Sequence, residues 1–347
     1  MTWRRITSHT IRRPTLADTL ISKKKYRQER DRRLQAQAPT EPDSNLKLEG
    51  FFEDPNTAGS ARAPIIDEKD VIIIGGGHSG VLSAIALRKA GVDSFRMIEA
   101  GYDFGGVWYW NRYPGVACDV ESYIYMPFLE ETGYMPSECY AKGDEIRAHF
   151  DRLAAKFRLN EIVCFGTQVT RVEWVESENR WLVSTNHGDQ MKARFVMMGN
   201  GALSHPKLPA ILGIETFKGR IFHTSRWDFD YTGGDQSGNL AYLKDKRVAV
   251  IGTGATAAQV VPQLGEWAKQ LYVVQRTPAI VAARGNAPTD PAWVNSLRPG
   301  WQQQRIANFD AILSGAQEEN LVADVWSDIW GPPHIPADTP PEPIARR

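Results

Sequence analysis

The sequence predicts an α/β protein with two units of strand, glycine-rich turn, helix and strand, a small antiparallel β-meander between them, and a helical insert after the second. Three observations carry that prediction. "DVIIIGGGHSGVLSAIALRKAGVDSFRMIEA" starts at Asp70, and "KRVAVIGTGATAAQVVPQLGEWAKQLYVVQR" repeats its pattern from Lys246. Between them, "TQVTRVEWV", "RWLVSTN" and "ARFVMMGNG" alternate or run apolar around polar turns, as short hairpin strands do.

Taken in order, residues 1–65 read as a basic extension and linker. Residues 1–33 hold eleven Lys/Arg against three acids, and "SKKKYRQERDRRLQAQ" is a charged helix without a wide apolar stripe. Such a start shares its composition with mitochondrial transit peptides, but a solvated, partly helical extension explains it as well. Residues 66–214 form the first unit with the meander. The unbroken apolar run Val71–Ile74 fits a strand buried on both faces of a parallel sheet. Residues 215–287 hold the second unit, residues 288–330 read as helical, and residues 331–347 form a Pro-rich tail without a core-forming pattern.

Composition excludes several function classes. With 41 basic and 41 acidic residues, the balance gives no footprint for nucleic acid. The most apolar run, "VIIIGGGHSGVLSAIAL", is broken by glycines and a histidine, so neither a membrane span nor a secretory signal is expected. Cys118, Cys139 and Cys164 have neither CxxC nor metal-like spacing, and the seven histidines show no ligand pattern. No metal is expected, and the setting expected is a reducing, cytoplasmic one. "GHSG" lacks the G-x-S-x-G spacing of a serine nucleophile elbow.

The glycine turns carry the chemistry. Gly75, Gly77 and Gly80 lie between a buried strand and a helix, where they permit a tight turn, close approach of a pyrophosphate and helix–strand packing. Glu99 ends the next strand 24 residues after Gly75, placed to accept hydrogen bonds from the hydroxyls of an adenosine ribose. The second unit has Gly252, Gly254 and Ala257, and its second strand ends in Gln275-Arg276, again 24 residues on. A carboxylate repels a 2′-phosphate and a guanidinium pairs with it. The first site therefore suits FAD or NAD and the second NADP. The fold class is thus two Rossmann-like dinucleotide-binding domains, an FAD-binding domain over residues 66–214 and an NADP-binding domain over residues 215–287. Two such sites in one chain imply hydride transfer from NADPH to a flavin.

Two further stretches narrow the reading. "GGVWYWNRYPGVACDVESYIYMP" spans residues 105–127, and "FKGRIFHTSRWDFD" spans residues 217–230. With these motifs the chain resembles the type I Baeyer–Villiger monooxygenases, whose fingerprint F-x-G-x-x-x-H-x-x-x-W, followed by Pro or Asp, matches at Phe217, Gly219, His223, Trp227 and Asp228. "WYWNRYPG", "CDVES", "GTGATAAQ", "QRTP" and "PGWQQQRIANF" are also family-like, so the resemblance covers roughly residues 20–330. In related monooxygenases that oxygenate nitrogen or sulfur, Phe or Tyr usually takes the place of Trp227.

The resemblance implies an FAD- and NADPH-dependent enzyme that inserts one oxygen atom of dioxygen beside a ketone carbonyl, giving an ester or lactone. It implies that Val107, Trp108, Tyr109, Trp110, Asp119, Val120 and Tyr125 line the FAD, and that Ala117, Cys118 and Asp119 approach the nicotinamide end of NADPH. Thr253, Gly254, Ala255, Thr256, Ala257, Ala258 and Gln259 would hold the pyrophosphate, and Arg276 with Thr277 the 2′-phosphate. Many relatives have threonine where this chain has Val107. Asp119, His223 and Trp227 are the residues it assigns to the catalytic machinery. Of these, His223 reads as a conformational contact and Asp119 as the group that orients an arginine. That arginine lies, in the family, on a segment beyond the helical insert, with closing strands of the flavin domain. The resemblance therefore implies a C-terminally shortened chain, for which three readings compete: a truncated gene product, a chain completed by a partner chain or by self-association, or a shortened enzyme with a rearranged site. An N- or S-oxygenating flavin monooxygenase and an inactive dinucleotide-binding protein are the rival readings.

Overall fold

The computed structural model describes residues 62–203, 213–276, 284–316, 319–322 and 324–330, with isolated positions at 24, 27, 28, 31, 54, 206, 211 and 281. The Pro-rich tail, Thr277 and most of the charged N-terminal helix lie outside the described residues.

The chain is α/β, as its patterning predicts. The first unit contains β1 (Ile66–Ile74), helix α1 (His78–Lys89), β2 (Phe95–Ile98), helix α2 (Gly143–Lys156) and β3 (Val163–Cys164). Three further strands follow: β4 (Val169–Val175), β5 (Arg180–Thr185) and β6 (Gln190–Met198). All six form one sheet in the order β3-β2-β1-β6-β5-β4. β1 runs parallel to β2 and to β6, whereas β4, β5 and β6 pair antiparallel. The meander is therefore not a separate layer. Its last strand returns beside β1, in a register that sets Val71 against Phe195, and so belongs to both halves of the sheet.

Burial follows the strand period of two. Val71, Ile73, Phe95 and Met97 face α1 and α2, where Val81, Ile85, Ile146, Phe150 and Leu153 complete the main core. Ile72, Ile74 and Ile98 face the other way, toward Val183, Met191 and Ala193. Each such side chain contributes about 1.5–3 kcal/mol relative to exposure, which is why an unbroken aliphatic run works as a central strand.

The second unit contains β7 (Arg247–Ile251), helix α3 (Ala255–Trp267) and β8 (Gln270–Val274). β7 and β8 pair parallel as a two-stranded sheet among the described residues. Val248, Val250 and Leu271 pack against the main core, while Ile251 and Val274 remain 54% and 53% exposed.

The helical region packs on the first unit. Within helix α4 (Trp301–Leu313), Gln302 accepts from the Leu129 N–H at 2.8 Å and donates to the carbonyls of Tyr123 and Met126 at 3.0 and 2.7 Å. Arg305 grips both oxygens of buried Glu121 at 2.7 and 2.5 Å. These contacts fix the loop that follows Asp119.

Candidate functional site

The first glycine turn joins β1 to α1 and is closely packed. Gly75 has φ +113°, and a β-carbon there would stand 2.3 Å from the Gly199 carbonyl oxygen. A β-carbon on Gly80 would stand 1.8 Å from the Gly75 oxygen, so the third glycine lets helix and strand meet, as the pattern predicts. The first turn of α1 carries no acidic side chain, and its N-cap is Gly77, whose N-terminal N–H groups have no side-chain acceptor from the cap. Those donors and the helix dipole favour an anion.

Glu99 stands just beyond β2 and turns back over this site. It is buried and accepts from the Gly76 N–H and, at 2.6 Å, from the Gly101 N–H. Burial pushes its carboxyl above the usual range, an effect that these N–H groups oppose. A carboxylate offers about four lone-pair positions, and with the N–H groups of Gly76, Gly101 and Ala100 acting on it, capacity remains for a hydroxyl donor.

The aromatic turn Val107–Trp110 lies against the same glycines. Gly105 N–H donates to Gly76 O at 3.0 Å, and a β-carbon on Gly106 would stand 2.7 Å from the Gly77 α-carbon. Trp108 donates its indole N–H to the Tyr125 hydroxyl at 2.9 Å, and the Tyr125 ring meets His78 edge-on. His78 has a buried Nδ1 with no partner among the described residues, and burial lowers its pKa to about 4. It stays neutral. Tyr109 is buried, and Val107 is exposed.

The second glycine turn keeps the backbone and loses the enclosure. Gly252 has φ +106°, but a β-carbon there, or on Gly254, would meet nothing within 4 Å. The first turn of α3 has no acidic residue and no side-chain cap, and it contains Ala255, Thr256, Ala257 and Ala258. Gln275 closes the turn by donating to the Thr253 hydroxyl at 3.0 Å. Arg276 is exposed beside it, with no carboxylate paired to it among the described residues.

Between the two turns lies the loop Ala117–Val120. Gln259, on α3, donates to the Ala117 carbonyl at 2.9 Å, and its amide oxygen accepts from the Tyr113 hydroxyl at 2.8 Å and the Ala117 N–H at 3.4 Å. The side chain expected to hold a pyrophosphate thus clasps the first unit. Asp119, about half exposed, approaches Arg284 at 3.5 Å, and its carbonyl accepts from the Trp326 indole at 3.1 Å. One nitrogen of Arg284, Nη1, is buried without a partner among the described residues. Sequence reasoning missed Arg284 and the clasp, because no motif ties these positions to Asp119 or Ala117. Cys118 is buried, and its thiol is pushed up to about 12. Such a thiol is inert.

The fingerprint stretch is a capped connector. His223 Nδ1 accepts from the Ser225 N–H at 3.1 Å and lies 2.8 Å from the Ser225 hydroxyl, and burial with nearby Arg226 lowers its pKa. Trp227 is buried between Phe222 and Phe229 and donates to the Thr232 hydroxyl at 3.1 Å. Asp228 caps the next helical turn through the Tyr231 N–H at 2.9 Å and pairs with Arg220 at 2.6 Å.

Known proteins show the same organisation. Residues 72–312 match the family described as pyridine nucleotide-disulphide oxidoreductase. The chain is 51% identical over 284 residues to Baeyer-Villiger monooxygenase 4 of Dietzia sp. (strain D5), covering 82% of this chain and 46% of that protein. Among solved structures, the polycyclic ketone monooxygenase of the thermophilic fungus Thermothelomyces thermophila superposes with a TM-score of 0.76 at 40% identity, covering 82% of this chain and 49% of that one. OTEMO in complex with FAD and NADP superposes with a TM-score of 0.63 at 35% identity, covering 73% and 46%. The chain spans about half the length of the curated relatives it matches.

Proposed function

The chain belongs to the pyridine nucleotide-disulphide oxidoreductase family and, within it, to the Baeyer–Villiger monooxygenase group that its sequence resembles, and on that premise we propose that it serves NADPH- and FAD-dependent insertion of one oxygen atom of dioxygen next to a ketone carbonyl, giving an ester or lactone. One observation carries this reading. Two glycine turns of the same backbone occur in one chain, the first beside the carboxylate of Glu99 and the second followed by the guanidinium of Arg276, and Gln259 on the helix of the second clasps the loop Ala117–Val120. The residues fit the two cofactors. Gly75, Gly77, the first turn of α1 and Glu99 would hold FAD, and Gly252, Gly254, the first turn of α3 and Arg276 would hold NADPH. All three cysteines are free, and burial pushes Cys118 and Cys139 up to about 12 and 11.

When bound, the cofactors supply the hydride and the redox centre at which dioxygen is activated. The rest is this chain's work. Glu99 and Arg276 sort the two nucleotides by charge. The aromatic turn Val107–Trp110 walls the first site against water, and water exclusion strengthens each electrostatic contact inside. Arg284 approaches Asp119 at 3.5 Å and would hold the aspartate of the loop in place. His223 and Trp227 keep the connector in one shape. The exposed apolar residues Phe195, Met198, Ile251 and Val274 are consistent with cover from a partner chain or a second copy. We place the protein in the cytoplasm on its free cysteines. No helix among the described residues is long and apolar enough to cross a membrane.

Purified protein is expected to be yellow, to bleach anaerobically with NADPH, and to oxidise NADPH in a ketone-dependent way with an ester as product. A colourless protein that takes up no flavin ends this reading. Amine or sulfide turnover without ester formation moves it to the N- or S-oxygenating class.

A further inference from the structure

Within the fingerprint stretch, the pattern leaves position 226 open, yet Arg226 reaches furthest out of it. Trp227 packs on Phe222 and Phe229, and Asp228 bonds Arg220 and Tyr231, all between residues 220 and 231. Arg226 instead places its guanidinium carbon 4.0 Å from the centroid of the Trp110 ring, in the first unit. It is a buried cation, only 6% exposed. Its Nη1 donates to the Ser225 carbonyl at 2.9 Å, and its Nε is buried without a partner among the described residues. Burial works against its charge, while nearby Asp54 and Tyr109 support it.

Burying a guanidinium is unfavourable unless something replaces its hydration. Here the indole face of Trp110 does so, and a desolvated cation over an indole is the strong form of that contact. Trp110 in turn meets Tyr109 edge-on at 5.0 Å, and the Tyr109 hydroxyl donates to Asp54 at 2.6 Å. The turn that carries both rings is bonded to the first glycine turn through Gly105 and Gly76. A displacement of the connector would therefore pull on the wall of the first nucleotide site through one side chain.

We propose that Arg226 is a positioning residue: stacked on Trp110, it couples the connector of the second unit to the aromatic turn that walls the FAD site of the first. This rests on the flavin reading above. The role needs a planar or compact cation over the ring, so it is distinct from simple filling of space.

The test is FAD affinity, titrated by quenching of flavin fluorescence in the flavin-stripped chain, for wild type, Arg226→Ala, Arg226→Lys and Trp110→Leu, and for the double variant of Arg226→Ala with Trp110→Leu. Arg226→Ala is expected to weaken FAD about tenfold, Arg226→Lys to recover most of that loss, and Arg226→Ala to have no further effect once Trp110 is leucine. Where Arg226→Ala does not accumulate as soluble protein, Arg226→Met takes its place with the same expectation. Unchanged affinity in the uncharged variant overturns the proposal. So does an equal loss with and without Trp110, or a lysine variant as weak as alanine. A wild-type chain that takes up no FAD removes the flavin reading and this proposal together, a result told apart by the wild-type titration alone.

Discussion

The two glycine turns share a backbone and differ in surroundings. Gly75 and Gly252 have nearly the same positive φ, +113° and +106°, and each is followed by a helix with a glycine N-cap. Around Gly75 the space is filled, by Gly199 after β6 and by Gly80 in α1, whereas around Gly252 a β-carbon would meet nothing within 4 Å. The difference comes from the sheet. β1 is flanked on both sides, by β2 and β6, while β7 pairs with β8 alone among the described residues. One pattern thus serves two needs. In the first unit the glycines allow the fold to pack, and in the second they border open space.

The largest expected effect breaks that comparison directly. Gly80→Ala puts a methyl group 1.8 Å from a backbone oxygen that cannot move without shifting β1. A loss of about 3 kcal/mol or more is expected in urea unfolding, in the upper range for overpacked sites. Gly254→Ala, with open space and a negative φ of −78°, is expected to stay within about 0.5 kcal/mol of wild type while weakening NADP⁺ binding. Comparable unfolding losses at both positions would remove the distinction.

A second test sharpens the closed character of the first unit. Asp189 is fully buried and accepts from Arg62 at 2.6 and 2.5 Å, from the Ile65 N–H at 2.7 Å and from the Thr185 hydroxyl at 2.5 Å. It ties the segment before β1 to the turn before β6. Burial alone would raise its pKa, but these donors prevail and hold the carboxyl well below the usual range. Because the folded value is depressed, the stabilisation is complete above the unfolded pKa of about 3.9 and is lost as pH falls below it. Asp189→Asn is expected to cost about 2 kcal/mol at pH 7, and the gap to wild type should close in acid. A gap that does not narrow at all as pH falls from about 5 to about 2 would show that the charge is not what matters.

Much of this was legible in the sequence, for a physical reason that also marks the limit. Val71–Ile74, the glycine turns and the positions of Glu99 and Arg276 at the strand ends are local signals, in which chain geometry sets the placement of a residue from its near neighbours. The Ala117–Gln259 clasp joins residues 142 apart, and the Asp119–Arg284 pair joins residues 165 apart. No periodicity encodes either. The meander was recognised as antiparallel strands, but its union with the parallel sheet depends on β6 meeting β1, a non-local pairing. The reach of Arg226 is equally illegible, because a pattern of named positions says nothing about the residues it leaves open.

The open unit should reveal itself in nucleotide choice. Arg276 is exposed at the end of β8, so Arg276→Gln removes a phosphate partner without opening a cavity. NADP⁺ affinity is expected to fall about tenfold, or about 1.5 kcal/mol, the lower end for a hydrogen bond to a charged group. NAD⁺ affinity should change little. Isothermal titration of both nucleotides decides it, and an equal loss for NAD⁺ would mean that Arg276 acts on something other than the 2′-phosphate.

The smallest effect concerns the connector between the units. Asp228 caps the helical turn Phe229–Thr232 by accepting from the Tyr231 N–H at 2.9 Å, and it also holds Arg220 at 2.6 Å. Arg220 is more than half exposed, so its ion pair is screened by water and contributes little. The cap remains as the main term, about 1 kcal/mol for replacement by alanine. Asp228→Ala is therefore expected to lower stability by that amount. Asp228→Asn, which keeps an acceptor for the Tyr231 N–H, should recover nearly all of it, and the loss should be insensitive to added salt. A strong salt dependence would instead give the ion pair the larger share. The connector would then be held by charge, like the strap at Asp189, rather than by its backbone cap.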